Sequence, residues 1–584
     1  MHAAAILHEL NRRKVLRVGG AYLALGLGTI YAADVILPRL GLPGWTVTLV
    51  IVLVGLGLPL ALGLAWAFDF TEGGIRRTSH PPETEPAEPR LPTPAEAEVV
   101  RASDPEGPPA IVVLPFADMS PGGDHEYFSD GLTEEIITDL AGFRSLKVIS
   151  RTSAMCLKNT EKTVREIGRT LGVRYVLEGS VRVAGSRLRI TAQLIDARTD
   201  AHLWADRYDG AIDEVFDVQE RVAREIVDAL DLHLTREEEE RLSDHPVADV
   251  RAFEMYLKAR EQLRRFSTAG VDDLIRRAIE IEGETAPLRA LAAWRKVTEV
   301  RSGTNRDPRL LEEAESEAAE LLRSPAHAGL RYSLLGFIAF ERGRQALAVH
   351  NFERALAYEP NDADALFFQA IAYNAAGRTS EAARVSARLL ETDPLNPNAH
   401  MLEGVLHWFI GGADEAPPHL ARALELDPTN HLVRWCAGYT SALLGDIEGA
   451  REQADWMSRH LPEVPYTAQL AALVHGMVGE PEQALVVLSG VDTTHLDGHH
   501  LFHLAESHAM AGDLEGGLEL LALGVKRGFY PYDFVAEHCP FLEPLRAQHE
   551  FAGIRDEVRR RHEAFDVDLS ALETEGPREV RRDS

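Results

Sequence analysis

The chain has 584 residues, which at about 100–200 residues per domain predicts several domains. Its formal net charge of −30 argues against sequence-independent binding to nucleic acid, because such binding requires lysine and arginine to neutralise phosphates. Three cysteines, far apart and outside any CxxC pair, argue against a disulfide framework or a cysteine-rich zinc site.

The N-terminal residues predict a membrane anchor. A basic segment, 1–14, precedes a predicted two-helix transmembrane hairpin, 15–68. Its second uncharged run, Trp45–Phe68, is long enough to cross a hydrocarbon core of about 30 Å. The lysines and arginines that flank the pair predict that both termini face the cytoplasm. We therefore expect a bacterial inner-membrane protein with cytoplasmic soluble domains. A single true span is the alternative, and it would place those domains in the periplasm.

A proline- and glutamate-rich linker is predicted over 69–109, because so few large apolar residues cannot bury enough surface to fold. From residue 110 to 235 the pattern changes to that of a small α/β domain. Short β-branched runs such as "AIVVLPF" favour buried strands, and "DGLTEEIITDLAGF" has helical spacing. The predicted order of elements is β-α-β-α-β-β-β-α.

These residues also carry a family resemblance. The stretches "VVLPFADMSPGGDHEYFSDGLTEEIITDL", "LKVISRTS" and "VFDVQERVAREIV" resemble the FlgO/TolB-N-terminal-like domain of bacterial envelope and signalling proteins. The N-terminal "ELNRRKVLRVGGAYLALG" is similar to the membrane hairpin that often precedes that domain. Relatives carry the domain behind an adenylate cyclase, winged-helix or kinase domain. Only about 14 residues precede the first predicted span here, so we expect no adenylate cyclase activity.

A 34-residue repeat is the strongest signal in the sequence and extends over a predicted superhelix, 250–566, with a C-terminal cap. Small residues, alanines and prolines each recur at this spacing, and segments such as "NFERALAYEPNDADALFFQAIAYNAAGRTSEAA" resemble tetratricopeptide repeats. Five repeats are clear, and a sixth from Gly498 is offset by one residue. The charged tail, 567–584, is predicted to be disordered. The fold class is thus multidomain: a transmembrane hairpin, a small α/β domain and an all-α repeat superhelix.

The family resemblance implies that certain positions of each repeat line a concave groove. Aromatic residues and methionine at such positions are common interface anchors, although they also serve as core between helices. We predict that this groove binds a protein segment. The predicted groove residues are Phe337, Phe340, Phe367, Ile371, Asn374, Met401, Trp408, Trp435 and Tyr439.

Two other places carry residues with possible chemistry. His499 and His503 have the i,i+4 spacing of a shared zinc ligand pair, but structural zinc needs four organised ligands, so no metal site is predicted. The acidic stretch from Asp118 to Glu135 has no ligand spacing. We interpret it as a strand-to-helix connection, with Ser129 or Asp130 capping the helix and Glu134 and Glu135 in its first turn. A ligand site on the connecting loop is the alternative.

The sequence therefore predicts a membrane-tethered protein-interaction scaffold in bacterial signalling or envelope assembly. No phosphate loop, nucleophile elbow, zinc-protease or kinase motif is present, so we expect no enzymatic activity and no cofactor. The expected partners are a protein of unknown identity and the lipid bilayer, without nucleic acid. A small-ligand sensor or enzyme-regulating module centred on the α/β domain is the alternative.

Overall fold

The computed structural model describes the greater part of the chain after residue 107. The described residues are 68–71, 74–77, 108–120, 126–185, 187–211, 215–242, 247, 249–264, 268, 270–302, 307, 309–321 and 328–575. Within them, no helix is both long enough and apolar enough to cross a bilayer. The structure therefore does not support the transmembrane hairpin that the predicted fold class includes. The predicted spans lie outside the described residues, except for Phe68, which begins a strand.

The start of the predicted linker is ordered as a β-hairpin. Strand β1 (Phe68–Thr71) pairs antiparallel with β2 (Gly74–Arg77). The first proline after these strands is Pro81, so every residue of the hairpin keeps a backbone N–H for pairing. Most of these two strands falls within the segment, 69–109, that was predicted to be an unfolded linker.

The α/β domain has the predicted elements and two additional short ones, β4 and α2. The elements are β3 (Ala110–Val113), β4 (Ala117–Asp118), α1 (Glu126–Ala141), β5 (Lys147–Val148), α2 (Arg151–Met155), α3 (Val164–Leu171), β6 (Tyr175–Ala184), β7 (Arg187–Asp196), β8 (Ala201–Ala211) and α4 (Val215–Ala229).

A mixed sheet organises this domain, with the strand order β5-β3-β6-β7-β8 and β4 paired to β6. The pairs β5–β3 and β3–β6 are parallel, while β6–β7 and β7–β8 are antiparallel. Alternate residues of β7, such as Leu188 and Ile190, are buried in the apolar core that includes α1 and α4. The residues between them face the opposite side, and Arg187, Arg189 and Thr191 are exposed there.

Helix α1 begins earlier than predicted. It starts at Glu126, so Ser129 and Asp130 lie inside the helix and do not cap it. Buried Ser129 instead has its carbonyl bound by the Thr133 hydroxyl one turn later, at 2.8 Å. Glu134 and Glu135 therefore lie in the middle of the helix, away from the positive end of its dipole.

The described residues after α4 are mainly helical as far as residue 575. After α5 (Arg236–Leu242) come four helices that precede the clear repeats: α6 (Val250–Arg264), α7 (Val271–Glu282), α8 (Ala286–Ser302) and α9 (Arg309–Glu320). Six helix pairs then form the repeats: α10 (Ala328–Glu341) and α11 (Gln345–Tyr358), α12 (Ala363–Ala375) and α13 (Thr379–Thr392), α14 (Pro397–Phe409) and α15 (Pro417–Leu426), α16 (His431–Leu443) and α17 (Ile447–His460), α18 (Pro465–Met477) and α19 (Pro481–Leu488), and α20 (Gly498–Met510) and α21 (Leu514–Lys526).

The repeat signature has direct structural causes. The recurring alanines on, or immediately before, the second helices are fully buried, which allows close helix packing: Ala348, Ala382, Ala416, Ala450 and Ala484. A Cβ at Gly336 would lie 2.7 Å from the Phe352 ring, so only glycine fits that crossing. Each repeat proline follows the last residue of its second helix by two positions, where the helix no longer needs an N–H: Pro360, Pro394, Pro428 and Pro462.

Turns within the repeats add a second periodic signal. The residue between the two helices of each repeat has a positive φ and is always glycine, since a Cβ is disfavoured in that conformation. These glycines are Gly343, Gly377, Gly411, Gly445, Gly479 and Gly512. The last spacing is one residue shorter than the others, in agreement with the predicted offset of the sixth repeat.

The α/β domain is fixed to the loops between repeats. Ser153 on α2 donates its hydroxyl to Asp393 at 2.6 Å and accepts the backbone N–H of Leu395 at 2.8 Å. Leu395 itself lies within the apolar core of the α/β domain. Asp393 is completely buried, and this burial raises the pKa of its carboxyl group. Ser153 and Asn396 both donate hydrogen bonds to Asp393, so this buried carboxyl group links the α/β domain to the repeats.

Candidate functional site

The inner face of the repeats, formed by their first helices, is covered by the chain itself. The C-terminal segment, residues 527–546, returns from α21 across this face and leads through α22 (Glu543–Arg546) to α23 (Phe551–Glu575). Its Tyr530 N–H donates to the Ala375 carbonyl at 2.8 Å. Gln345 on α11 donates to the Gly528 carbonyl at 2.9 Å. The predicted cap thus joins the sixth repeat to the first and second. Helix α23 extends to Glu575, so the first part of the tail that was predicted to be disordered, 567–584, is helical.

Apolar side chains attach the C-terminal segment to the inner face. Eight of them are buried against the repeats: Phe529, Tyr530, Phe534, Val535, Cys539, Phe541, Leu542 and Leu545. The ring centroids of Phe534 and Phe409 lie 4.7 Å apart, and those of Phe541 and Tyr439 lie 5.8 Å apart. Displacing the segment would expose apolar surface on both sides of this contact. The covered part of the inner face is therefore core.

Six of the nine predicted groove residues are buried. Trp408 donates its indole N–H to Thr440 at 3.0 Å, and Trp435 donates to Gln469 at 2.5 Å. Tyr439 donates its hydroxyl to Glu506 at 2.6 Å. The other three buried residues are Phe337, Asn374 and Met401. These aromatic residues follow the repeat period because they fill the interior between helices.

The remaining three groove residues form a partly exposed apolar patch: Phe340, Phe367 and Ile371. Phe340 and Phe367 both contact the ring of Phe368, with centroids 6.0 and 5.2 Å away. Ile371 lies one turn after Phe367 on α12, so both occupy the same side of that helix. The patch belongs to the first two repeats.

A completely buried carboxyl group, Glu506 on α20, lies at the centre of the covered inner face. Its Oε1 atom accepts from the Tyr439 hydroxyl at 2.6 Å and from the Cys539 thiol at 2.8 Å. Its Oε2 atom lies 2.6 Å from Nδ1 of His503. Burial raises the pKa of Glu506 to about 8. The carboxyl group is therefore neutral at pH 7 and donates from Oε2 to His503.

The two predicted metal-candidate histidines continue this hydrogen-bond chain. Nε2 of His503 is 3.1 Å from Nε2 of His499, and Nδ1 of His499 is 2.6 Å from the Tyr466 hydroxyl. Burial lowers the pKa of both histidines well below the usual value, so each is neutral. Because Glu506 donates to Nδ1 of His503, Nε2 of His503 donates to Nε2 of His499. Nδ1 of His499 then donates to the Tyr466 hydroxyl group. Both rings use their two nitrogens within this chain.

The described residues contain no group of three or more histidine, cysteine or acidic side chains arranged to hold a metal ion. His499 and His503 therefore serve as hydrogen-bond partners in this structure. Cys539 is buried beside Glu506, and burial raises the pKa of its thiol, which disfavours the reactive thiolate.

The acidic stretch around α1 makes ion pairs. Arg260 on α6 contacts Glu134 at 2.6 Å and Glu135 at 2.7 Å. Arg151 on α2 contacts Glu134 at 2.9 Å. Asp118 accepts the backbone N–H of Ser120 at 2.8 Å. Asp124 and His125 lie outside the described residues. The acidic helix face thus connects α1 to its neighbours, as a structural role requires.

A cavity of about 340 Å³ adjoins these ion pairs and lies between the α/β domain and the first repeats. Its polar lining includes Glu135, Asp139 and Arg260, and its apolar lining includes Trp294 and Phe337. Burial raises the pKa of Asp139 to about 8, although Gln219 donates a hydrogen bond to it at 2.8 Å. Sequence reasoning missed this cavity, because its walls come from segments far apart in the chain.

Family comparisons agree with this architecture in the repeats. Residues 339–406 match the family model described as tetratricopeptide repeat, which confirms that part of the prediction. Residues 109–229 match the model of the HilA/YgeH-like transcriptional regulator, second domain. The predicted FlgO/TolB-like assignment is not confirmed by these matches.

One curated relative and several solved structures are similar to parts of the chain. Putative adenylate cyclase 3 of Rhizobium meliloti (strain 1021) is 44% identical over 177 residues, which is 30% of this chain and 30% of that relative. The chain therefore spans less than a third of that relative's length in the match, and this similarity transfers no activity.

Among solved structures, a tetratricopeptide repeat protein from Parabacteroides merdae ATCC 43184 is 18% identical with a TM-score of 0.31, covering 43% of this chain and 98% of its own. A Rap protein complexed with competence and sporulation factor is 16% identical with a TM-score of 0.42, covering 56% of this chain and 100% of its own.

Proposed function

We propose that this chain is a protein-interaction scaffold whose first two repeats present the partner surface. The apolar patch of Phe340, Phe367 and Ile371 supports this proposal, because it is the part of the predicted groove that the C-terminal segment leaves accessible. Partly exposed aromatic side chains at the centre of a surface are frequent binding anchors. The proposed partner segment is apolar, and its proposed setting is bacterial signalling or envelope assembly.

A crosslinking experiment tests this proposal. A photoreactive phenylalanine analogue at position 340, which contacts the same Phe368 ring as Phe367, is expected to capture a discrete partner from cells. The double variant Phe367→Ser and Ile371→Ser should reduce recovery of the same partner by roughly tenfold, in line with the loss of one hot spot. Val486 on α19 is 73% exposed, so Val486→Ser is the matched control. Equal recovery from the patch variant and the control would refute the proposal.

The cavity between the domains supports a second candidate function, a small-ligand sensor. It combines an apolar wall with convergent charged groups and one carboxyl group of strongly raised pKa, which is typical of ligand sites. Small molecules that co-purify with the protein should be identifiable by native mass spectrometry. Thr138→Trp, at the cavity wall, should abolish their retention if they bind there.

The cellular location stays a prediction. A phosphatase fusion after Arg77 distinguishes the cytoplasmic from the periplasmic alternative, since the enzyme is active only in the periplasm. High activity would contradict the cytoplasmic location.

A further inference from the structure

The exposed face of strands β6, β7 and β8 is basic in an otherwise acidic chain. Arg182 on β6, Arg187 and Arg189 on β7, and Arg207 on β8 are all exposed on this side of the sheet. We call this surface the arginine face. It contrasts with a net charge of −30 for the chain as a whole. The opposite side of the same strand segments is buried in the apolar core.

Carboxylates do not balance these four arginines. Arg189 and Arg207 share Asp209, with contacts of 2.5 and 3.1 Å. Arg182 donates to the backbone carbonyl of Met119 at 3.0 Å. Arg187 forms no ion pair with any residue that the structure describes. The face therefore keeps an excess of positive charge after its internal pairs are counted.

The strand register places two of the arginines directly opposite each other. Arg182 pairs with Arg189, which in turn pairs with Asp209. Like charges on opposite residues of neighbouring strands destabilise a sheet. The sheet would be more stable with a neutral or acidic residue at one of these positions. A bound anion would relieve this repulsion, so the arrangement favours anion binding over a purely structural role.

The spacing of the arginines fits an extended chain. Arg187 and Arg189 are two residues apart on one strand, which separates them by about 7 Å. Alternate residues of an extended peptide are separated by the same distance. Arg182 and Arg207 come from the flanking strands, each about 4.8 Å to one side. Acidic side chains at every second position of a peptide would thus meet the arginines in register.

We propose that the arginine face binds an extended acidic segment of a partner protein, with aspartate or glutamate at alternate positions. Duplex nucleic acid is disfavoured, because it carries a charge every ~1.7 Å and is repelled strongly by the acidic remainder of the chain. The binding surface is separate from the apolar patch on the repeats, so this proposal stands independently of the proposed function.

A labelled peptide that alternates threonine and glutamate is the probe, followed by fluorescence anisotropy at low salt with the full chain. We expect saturable binding that weakens as salt is added. A peptide of the same composition with its glutamates in one block should bind several-fold more weakly. The variant Arg187→Gln with Arg207→Gln should weaken binding of the alternating peptide by roughly fivefold, as expected for two exposed charge pairs.

Arg165 and Arg169 provide the matched control, since both are exposed and belong to helix α3, not to the strands that form the arginine face. Their double substitution by glutamine should leave binding unchanged. An equal effect of both double variants would overturn the proposal, because binding would then depend only on net charge. Tighter binding of a short DNA duplex than of the peptide would also overturn it and would indicate a nucleic-acid site.

Discussion

The inner face of the repeats and the arginine face of the sheet differ in what their sequences indicate. The inner face is rich in aromatic residues, yet Trp408, Trp435 and Tyr439 are buried by neighbouring helices and by the C-terminal segment. The arginine face contains no aromatic anchor, yet its side chains are exposed and carry unbalanced charge. Residue type alone thus indicated the inner face as a binding surface. Exposure and charge balance indicate the arginine face.

The largest expected effect on stability comes from removing the C-terminal segment that covers the inner face of the repeats. Ending the chain after Arg527 deletes eleven buried apolar side chains, eight in the C-terminal segment and three on α23, and exposes the face beneath them. At about 1.5–3 kcal/mol for each such side chain, we expect a loss on the order of 10 kcal/mol, similar to the whole stability of a domain. Chemical unfolding and binding of a hydrophobic dye measure this. Ending the chain after Glu575 is the control, and similar stability of both truncations would show that the segment is dispensable.

Trp435→Ala tests whether the predicted groove residue is core. The side chain is fully buried and its indole N–H satisfies Gln469, so we expect the free energy of unfolding to fall by about 3–5 kcal/mol. Trp456→Ala is the control, because Trp456 is only partly buried and packs beside Arg434 and His460. A small effect at Trp435, equal to that of the control, would restore this residue as a candidate binding anchor.

Glu506→Gln should change how stability depends on pH. The pKa of Glu506 is raised to about 8 in the folded protein, so the folded state holds a proton that the unfolded state releases above about pH 4.5. The stability that this group contributes is therefore present at low pH and is lost as pH rises towards 8. The free energy of unfolding falls over this range by about 1.4 kcal/mol per pH unit.

Asp139 has a raised pKa of similar size and should contribute the same slope. Glu506→Gln is therefore expected to reduce the pH dependence between about pH 5 and 8 without removing it. Urea unfolding at several pH values provides the measurement, with Glu463→Gln at an exposed position as control. An unchanged slope in the Glu506 variant would mean that the carboxyl group is already ionised at pH 7.

Substitutions on the arginine face are expected to have the smallest effect on stability. Arg187→Gln with Arg207→Gln removes exposed charges, so the free energy of unfolding should change by less than about 0.5 kcal/mol. Thermal unfolding measures this. A large loss would show that these arginines stabilise the sheet, and it would weaken the argument that they serve a partner.

Local pattern predicted the repeats well, because each repeat signal has a local cause. Ala348 and its four equivalents are fully buried, and Pro360 and its three equivalents each follow the second helix of a repeat. The start of α1 was mispredicted, because Ser129 and Asp130 are good capping residues whose surroundings select an earlier start. Tertiary packing overrides such local preferences.

The sequence pattern did not predict the contacts between segments that lie far apart in the chain. Phe529 and Phe541 return onto the inner face and join the end of the chain to helices of the third and fourth repeats. No periodic signal marks residues 527–546, so nothing indicated that they would cover Phe409 and Tyr439. The cavity beside Asp139 was hidden for the same reason.

The contact between Gly343 and Gly528 has a consequence for how the repeats fold and evolve. A Cβ on Gly528 would lie 2.4 Å from the Cα of Gly343, so the turn of the first repeat and the end of the sixth meet with no space between them. Open repeat arrays gain or lose modules freely, because each module contacts only its neighbours. Here an inserted or deleted repeat would separate these two glycines. We therefore expect the six repeats to unfold in one cooperative transition and to tolerate no change in their number.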